Sequence, residues 1–302
     1  MLKEISKKRF NIRHSFKLIS EHTSDFNLWL AEPQTDQSQR IGRFIISKKP
    51  NSTYSDSFGN KIHYFKFKNL NALEITIKYP AILSKIKTKL VLKSKSKTLI
   101  NNQFLRSDKF IEQTSDVKKL TRSLIKGKKN DLEKIVSISQ FIKTNFKYKY
   151  PVPKRGVKNL RLNNLRGDCG EAGCLFVAMC RIAGIPAINH TGFVVYHDDL
   201  KNIYEHGWAS IHLNGTGWVQ IDPRAKNIKK MGKDFYYSQD NYFLTIVRGL
   251  NIPLKPKIPS NYKLDYWLDL GLPMTHNHAQ ILQPLIFTSS SKIKFQEEVS
   301  LN

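Results

Sequence analysis

Hydrophobic and polar positions alternate through the first hundred residues. In the opening segment the apolar side chains keep even spacing, and β-branched and aromatic residues recur in the segments that follow. A period of two with such residues predicts half-buried strands, and several short strands in succession predict an antiparallel sandwich. The predicted strands are Phe10–Leu18, Phe26–Leu30, Arg43–Ile46, Ile62–Phe67, Leu73–Tyr79 and Ile86–Leu92.

The hydrophobic period changes to three and four near Asp116, which predicts a helix there. A stronger helical pattern runs from Asp131 to Phe146, with Asn130 as a suitable N-cap. The two prolines Pro151 and Pro153 end this pattern, because proline cannot continue a helix.

A third, more apolar helix is predicted from Cys169 to Ala183, and Gly184-Ile185-Pro186 ends it. Strands are predicted after it, so the second part of the chain mixes helices and strands. The pattern predicts a β domain over residues 1–110, a core over 111–250 and an extension over 251–302 that completes the core. The later strands are predicted at Ile188–Tyr196, Gly207–Leu213, Trp218–Ile221 and Ile281–Phe287.

The composition is that of a folded protein with a large positive charge. Of the 302 residues 40% are hydrophobic, which suffices for a core, and the formal net charge is +26. Of the 50 basic residues 38 are lysines, which are scattered along the chain. Because nucleic-acid readers favour arginine for its planar fork, this composition favours weak attraction to acidic partners over nucleic-acid binding.

The sequence gives no sign of a membrane segment or a secretory leader. No apolar run reaches eighteen residues, and no apolar stretch follows the basic N-terminus. The expected location is the cytoplasm. The cysteines agree with a reducing compartment, because Cys169, Cys174 and Cys180 are odd in number and spaced unlike paired zinc ligands.

Cys169 stands where a catalytic thiol would be expected. It opens the apolar helix and is flanked by Gly167 and Gly170, which allow a substrate backbone to approach. A helix N-terminus and a neighbouring imidazolium both favour a thiolate, and the N–H groups at a helix start can stabilise an oxyanion. Cys174 and Cys180 lie within the apolar helix and are expected in the core.

His206 and Asp222 are the expected partners of this thiol. His206 precedes one predicted strand, and Asp222 ends the next one, with a turn at Asn214-Gly215-Thr216 between them. If the two strands form a hairpin, His206 and Asp222 lie side by side at its open end. His206 can then act as base while Asp222 holds the ring in the required tautomer.

Three separated blocks resemble the transglutaminase-like superfamily over residues 115–225. The resemblance implies a papain-like α+β fold, with the cysteine helix on an antiparallel sheet and an N-terminal β-sandwich-like domain before it. It also implies thiolate attack on protein or peptide amides, with Cys169, His206 and Asp222 as catalytic residues, no cofactor and no metal. The blocks are Gly167–Glu171 with Gly184–Ala187, His206–Trp208, and Gly217–Val219 with Asp222-Pro223.

Some positions depart from the superfamily pattern and leave the reaction open. Ser210 stands where many members carry Glu, Gly173-Cys174 replaces the usual Ala and Leu, and Ile188 stands where Arg is common. Hydrolysis is favoured over cross-linking, because water is the default acyl acceptor. The alternative is a non-catalytic binding module that uses its basic surface for nucleic acid or an acidic partner.

Weaker candidates complete the sequence-based interpretation. Asn163, Asn164 and Tyr150 are candidates for a second oxyanion donor. His276 and His278 resemble a metal pair, but no carboxylate or thiolate accompanies them, so no metal site is predicted. The sequence does not indicate an oligomeric state.

Overall fold

The structure is a computed structural model that describes residues 3–91, 100–195, 203–258, 260, 278–279, 285–288 and 293–301. His197, His276, Tyr196 and residues 281–284 of the last predicted strand lie outside the described residues. The helices are α1 (Ser115–Ile125), α2 (Asp131–Asn145) and α3 (Cys169–Ile182), with short 3-10 helices at Asn102–Phe104 and Val157–Asn159. The strands are β1 (Lys3–Glu32), β2 (Gln39–Ile41), β3 (Ile45–Ile46), β4 (Ser52–Ser55), β5 (Lys61–Leu90), β6 (Lys147–Tyr148), β7 (Arg166–Gly167), β8 (Ala187–Val195), β9 (Ile203–Leu213), β10 (Gly217–Ile221), β11 (Ile228–Met231), β12 (Asp234–Gln239), β13 (Phe243–Arg248), β14 (Ile252–Pro253), β15 (His278–Ala279), β16 (Leu285–Thr288) and β17 (Ile293–Leu301).

The chain divides into two compact units, each built from separated segments. The first unit, which carries the three helices, consists of Met1–Ser6, Lys85–His190 and His206–Asp240. The second consists of Lys7–Ser84, Thr191–Glu205 and Asn241–Asn302. The proposed division at residues 110 and 250 stays a prediction.

The second unit is built on long antiparallel strands. In β1 the side chains alternate between exposed and buried from Phe10 to Ser20, and this stretch pairs with β17, where Ile12 is opposite Leu301. Strands β2, β3 and β4 each pair antiparallel with β5. The buried aromatic and aliphatic side chains of β1 and β5 form one hydrophobic cluster, so burial of one strand face is what holds this unit.

The N-terminal strands of the structure are fewer and longer than those that the sequence pattern predicted. The segments predicted as two strands around Phe16 and Leu28 belong to the single strand β1. Glu21, His22 and Thr23 are exposed and interrupt the hydrophobic alternation, but β1 contains no glycine or proline that would end the strand. The segments predicted at Ile62–Phe67 and Leu73–Tyr79 likewise belong to β5, as does the third from Ile86 to Leu90, while Leu92 lies outside the described residues.

The three predicted helices are confirmed. Thr114 and Asn130 cap α1 and α2, because their side chains accept hydrogen bonds from the N–H groups of Val117 and Glu133. Helix α3 packs against both α1 and α2, and its side chains from Glu171 to Arg181 are buried. The mixture of helices and antiparallel strands agrees with an α+β fold.

The predicted hairpin also forms within the first unit. Strands β9 and β10 pair antiparallel, with Leu213 opposite Gly217 and Ala209 opposite Ile221. Gly215 adopts a φ of 76°, a conformation that suits glycine in a tight turn. The hairpin therefore brings the beginning of β9 next to the residues that follow β10. No helix among the described residues is long and apolar enough to cross a membrane.

Candidate active site

Cys169 is the first residue of α3 and is half-buried, whereas the turns that follow it are buried. Asp168 caps the helix, since its Oδ1 accepts hydrogen bonds from the N–H groups of Gly170 at 2.8 Å and Glu171 at 3.3 Å. The preceding residue, Gly167, pairs in parallel with Tyr148 across β6 and β7. The helix start is therefore fixed from both sides, and the thiol lies at the positive end of the helix dipole.

Strand β9 approaches the start of α3 closely at Gly207. A Cβ atom placed on Gly207 would lie 3.5 Å from the Cα of Gly170, which is ordinary contact distance. A larger side chain at position 207 would therefore push the strand away from the helix. The neighbouring His206 is brought into hydrogen-bond contact with the Cys169 side chain by this approach.

Asp222 lies directly after β10 and contacts the other side of the His206 ring. Nε2 of His206 and Oδ2 of Asp222 are 3.0 Å apart. Nε2–H donates to the carboxylate, which leaves Nδ1 as the ring nitrogen that serves the thiol. The structure thus brings together all three residues that the sequence identified, in the order Cys169, His206, Asp222.

The ionisation of this group of side chains follows from its contacts. Burial by itself lowers the pKa of His206, but the hydrogen bonds to Asp222 and Cys169 outweigh it and raise the pKa to about 9. Burial raises the pKa of Asp222, but the hydrogen bond from His206 outweighs it and lowers the pKa below its ordinary value. At neutral pH the site therefore holds an imidazolium that is paired with a carboxylate.

The Asp222 carboxylate is oriented by residues that the sequence reasoning missed. Its Oδ1 accepts a hydrogen bond from the N–H of Arg224 at 2.9 Å, which turns Oδ2 toward His206. The N–H of Asp222 donates to the side chain of Asn227 at 2.9 Å, and Asn227 in turn donates to the carbonyl of Ser238. The only sequence signal for Asn227 is an asparagine shortly after Asp-Pro, which is typical of many turns.

A buried ionic cluster lies beneath the start of α3. Arg155 binds Asp168 at 2.7 Å and Glu171 at 2.5 Å, and all three side chains are nearly inaccessible to solvent. Burial and the neighbouring Asp168 raise the pKa of Glu171, whereas hydrogen bonds from Arg155 and Glu171 outweigh the effect of burial and lower that of Asp168. Glu171 thus holds the proton, and the cluster is close to neutral. Asp168 thus caps the helix and belongs to the cluster, while Arg155 carries no local sequence signal.

The strand interior behind His206 contains polar side chains that are linked by hydrogen bonds. Trp208 is buried, as expected for a core residue, and its indole N–H donates to Gln220 at 3.1 Å. Gln239 donates to the same oxygen of Gln220 at 2.7 Å and accepts a hydrogen bond from Tyr237. The ring of His206 stacks against Trp208 with 6.0 Å between centroids. This packing limits rotation of the imidazole.

The oxyanion donors predicted at the helix start are partly engaged elsewhere. The N–H groups of Gly170 and Glu171 donate to Asp168, so these two are occupied by the cap. The side chain of Asn164 accepts a hydrogen bond from Arg166, while Asn163 is exposed. Tyr150 is also exposed, at 46% of its surface. The sequence reasoning did not identify Tyr148, which is close enough to Cys169 and Asp168 for their charges to contribute to its raised pKa.

The other candidate residues have no place in this site. Cys174 and Cys180 are buried in α3, and burial raises the pKa of both thiols. His278 is half-buried in β15 of the second unit, and His276, with which it resembled a metal pair in the sequence, lies outside the described residues. Within the described ranges no three His, Cys, Asp or Glu side chains cluster as metal ligands would.

Comparison with known proteins agrees with this fold. Residues 118–223 match the family model described as the transglutaminase-like superfamily. Among solved structures, a "putative cysteine protease" from Cytophaga hutchinsonii aligns over 100% of both chains at 13% identity, with a TM-score of 0.62. The periplasmic domain of TgpA from Pseudomonas aeruginosa aligns over 68% of this chain and 88% of its own, at 15% identity and a TM-score of 0.38. No curated protein matches the sequence significantly. The chain thus has a transglutaminase-like fold, and residues 118–223 are its transglutaminase-like core.

Proposed function

We propose that the protein is a cysteine-dependent acyl-transfer enzyme that acts on protein or peptide amides. The observation that carries the proposal is the hydrogen-bonded series from Cys169 through His206 to Asp222 at the start of a buried helix. A cysteine that only packs in the core does not require an imidazole that is itself held by a half-buried carboxylate. In this proposal Cys169 is the nucleophile, His206 the acid and base, and Asp222 the residue that orients His206.

The first half of the reaction transfers an acyl group to sulfur. The Cys169 thiolate attacks the amide carbonyl carbon, and the carbonyl oxygen takes the negative charge. Nδ1–H of the imidazolium then protonates the leaving nitrogen, the carbon–nitrogen bond breaks, and an acyl thioester remains. The electron pair returns from oxygen to carbon, while the Asp222 carboxylate keeps Nε2 protonated throughout.

The second half returns the thiol. Neutral His206 takes a proton from water at Nδ1 as the water oxygen attacks the thioester, and the carbon–sulfur bond breaks. The products are a carboxylic acid and the Cys169 thiolate beside an imidazolium, so protons and electrons balance. We favour hydrolysis over cross-linking, because water is the default acyl acceptor.

Alkylation kinetics test the nucleophile. With iodoacetamide at neutral pH, Cys169 should be labelled at least about tenfold faster than a free thiol, because the dipole and the imidazolium favour the thiolate. His206→Ala should slow labelling at Cys169, whereas His212→Ala, in the same strand, should not. Equal and slow labelling of Cys169, Cys174 and Cys180 would falsify the assignment.

Product analysis separates hydrolysis from transfer. Incubation with a glutamine-bearing protein and a fluorescent primary amine should release acid products and incorporate little amine, and Cys169→Ser should abolish both products. Efficient amine incorporation would replace the hydrolase with a transferase at the same thiol. Full function of Cys169→Ala in binding assays, with no turnover by the unaltered chain, would instead support the non-catalytic module.

A further inference from the structure

One exposed segment beside the candidate nucleophile is strongly basic. Residues 147–166, called the basic segment below, contain seven of the chain's 50 Lys and Arg residues and no Asp or Glu. Arg155 is buried in the ionic cluster, and the other six are exposed. The exposed cations are Lys147, Lys149, Lys154, Lys158, Arg161 and Arg166.

The contacts of the basic segment hold it against the start of α3. The N–H of Lys149 donates to the carbonyl of Gly167 at 2.8 Å, and Arg155 binds Asp168 at 2.7 Å. These two anchors are on the residues that immediately precede Cys169. The backbone of Lys149 therefore lies next to the residues that precede Cys169, and Lys154 adjoins the Arg155 anchor.

A second cation reaches the same rim from the other side of the site. Arg224 follows Asp222 by two residues, and its guanidinium lies 5.9 Å from the ring centre of Tyr148. The Arg224 side chain makes no hydrogen bond or ion pair with another described residue, and 60% of the surface of Tyr148 is exposed. The charge of Arg224 also acts on the nearby Asp222 carboxylate, but the arginine is exposed and can bind an anion from solvent.

The positive charge continues beyond Arg224. Residues 224–233 contain five Lys and Arg residues, all exposed, and no Asp or Glu. Together with the basic segment this places twelve of the 50 basic residues within thirty positions. Arg224 is the member of this run that reaches Tyr148, whereas Lys230 pairs with Glu133 at 3.6 Å at the start of α2.

We infer that the acyl donor is an acidic peptide segment, whose carboxylates flank the reacting amide and bind the basic segment and Arg224. The inference rests on the proposed function, because the substrate must present a carbonyl carbon to Cys169. That requirement favours a peptide over a nucleic acid, which offers phosphates to the cations but no amide in its backbone. Oppositely charged partners gain chiefly in association rate and orientation.

Matched peptides test the inference. Three peptides of one length would share a central amide, with the flanking residues all Glu, all Gln or all Lys. We expect kcat/KM for the Glu peptide to exceed that for the Gln peptide by about tenfold at low salt. The advantage should shrink as salt shortens the screening length from about 10 Å at 0.1 M to about 3 Å at 1 M.

Two double variants locate the effect. Lys149→Gln/Lys154→Gln should reduce the ratio of kcat/KM for the Glu peptide to kcat/KM for the Gln peptide by about threefold or more. The control Lys128→Gln/Lys129→Gln removes the same charge elsewhere and should keep the preference. Positions 128 and 129 adjoin Asp131, which is close to Cys180. Cys180 lies about 16 Å along α3 from Cys169, at 1.5 Å per residue, so the control lysines are remote from the thiol.

Binding of the same peptides to Cys169→Ser separates failure of this inference from failure of the proposed function. Tighter binding of the Glu peptide without turnover by the unaltered protein would sustain the recognition surface and reject the enzyme. Equal binding and equal kcat/KM for all three peptides would overturn the inference and leave the enzyme standing. Tight binding of single-stranded RNA, with no preference among the peptides, would also overturn it.

Discussion

His206 lies between an acid and a thiol, and its protonation determines what the site can do. Its pKa of about 9 depends on the Asp222 carboxylate, which compensates for partial burial of the ring. Without the Asp222 charge, burial still lowers the pKa of His206, but the main contribution that raises this pKa is lost. His206 therefore acts as a strong acid–base group only while Asp222 is ionised.

Asp222→Asn should move the alkaline limb of the kcat/KM profile to lower pH, by about one unit or more. The pKa of His206 is raised on folding from 6.5 to about 9, so its pairing stabilises the fold fully below pH 6.5. That stabilisation is lost as the pH rises through about 9. The stability difference between the unaltered protein and Asp222→Asn should narrow over this range in urea unfolding. Asp234→Asn, which removes an exposed pair with Lys89, should leave the alkaline limb in place.

Helix α3 is positioned by charges that it buries at its own start. Arg155 compensates two carboxyl groups, Asp168 and Glu171, of which one keeps its proton. A buried pair that loses its cation leaves an uncompensated charge in an apolar environment, which costs more than the pair contributes when intact. The cluster also fixes the basic segment to the helix, so the stability of α3 and the position of the basic segment depend on the same contacts.

Arg155→Met should lower the free energy of unfolding by about 3 to 5 kcal/mol. Glu171→Gln should cost only about 1 kcal/mol, because an amide can donate to Asp168 as the protonated carboxyl does. Urea unfolding followed by circular dichroism at pH 7 measures both. A loss below about 1 kcal/mol for Arg155→Met would mean that water reaches the cluster.

Local patterns predicted the elements that depend on local chemistry. The cap at Asn130, the Gly-Ile-Pro end of α3 and the turn at Gly215 were readable, since each has a near-neighbour cause. From the hairpin it followed that His206 and Asp222 would meet. Asn227 and Arg155 could not be predicted, because their partners are set by tertiary contacts over 11 and 13 to 16 positions. The length of β1 was also missed, since polar residues within a strand resemble a turn.

At the scale of the whole molecule, the fold brings together basic residues that are scattered along the sequence. The net charge of +26 is a property of composition, but the fold holds the basic segment against the helix start at Cys169 and brings Arg224 to Tyr148. A count of lysines in the sequence cannot predict this arrangement, because it depends on the contact between Tyr148 and Arg224 in the fold. The same charge opposes compaction everywhere through self-repulsion.

Salt should therefore act in opposite directions on stability and on recognition. Screening weakens the repulsion among 50 cations that only 24 anions offset, so Tm should rise with sodium chloride. Each 1 kcal/mol gained corresponds to about 2 to 4 °C in a chain of this size class. Over the same range kcat/KM for the Glu peptide should fall, because screening weakens its attraction to the basic segment. Sodium sulfate at equal ionic strength distinguishes screening from anion binding, which would raise Tm further. Parallel falls in Tm and in kcat/KM would show instead that salt unfolds the protein. A rise in Tm together with a fall in kcat/KM for the Glu peptide is what distinguishes a charged recognition surface from a protein that is merely highly charged.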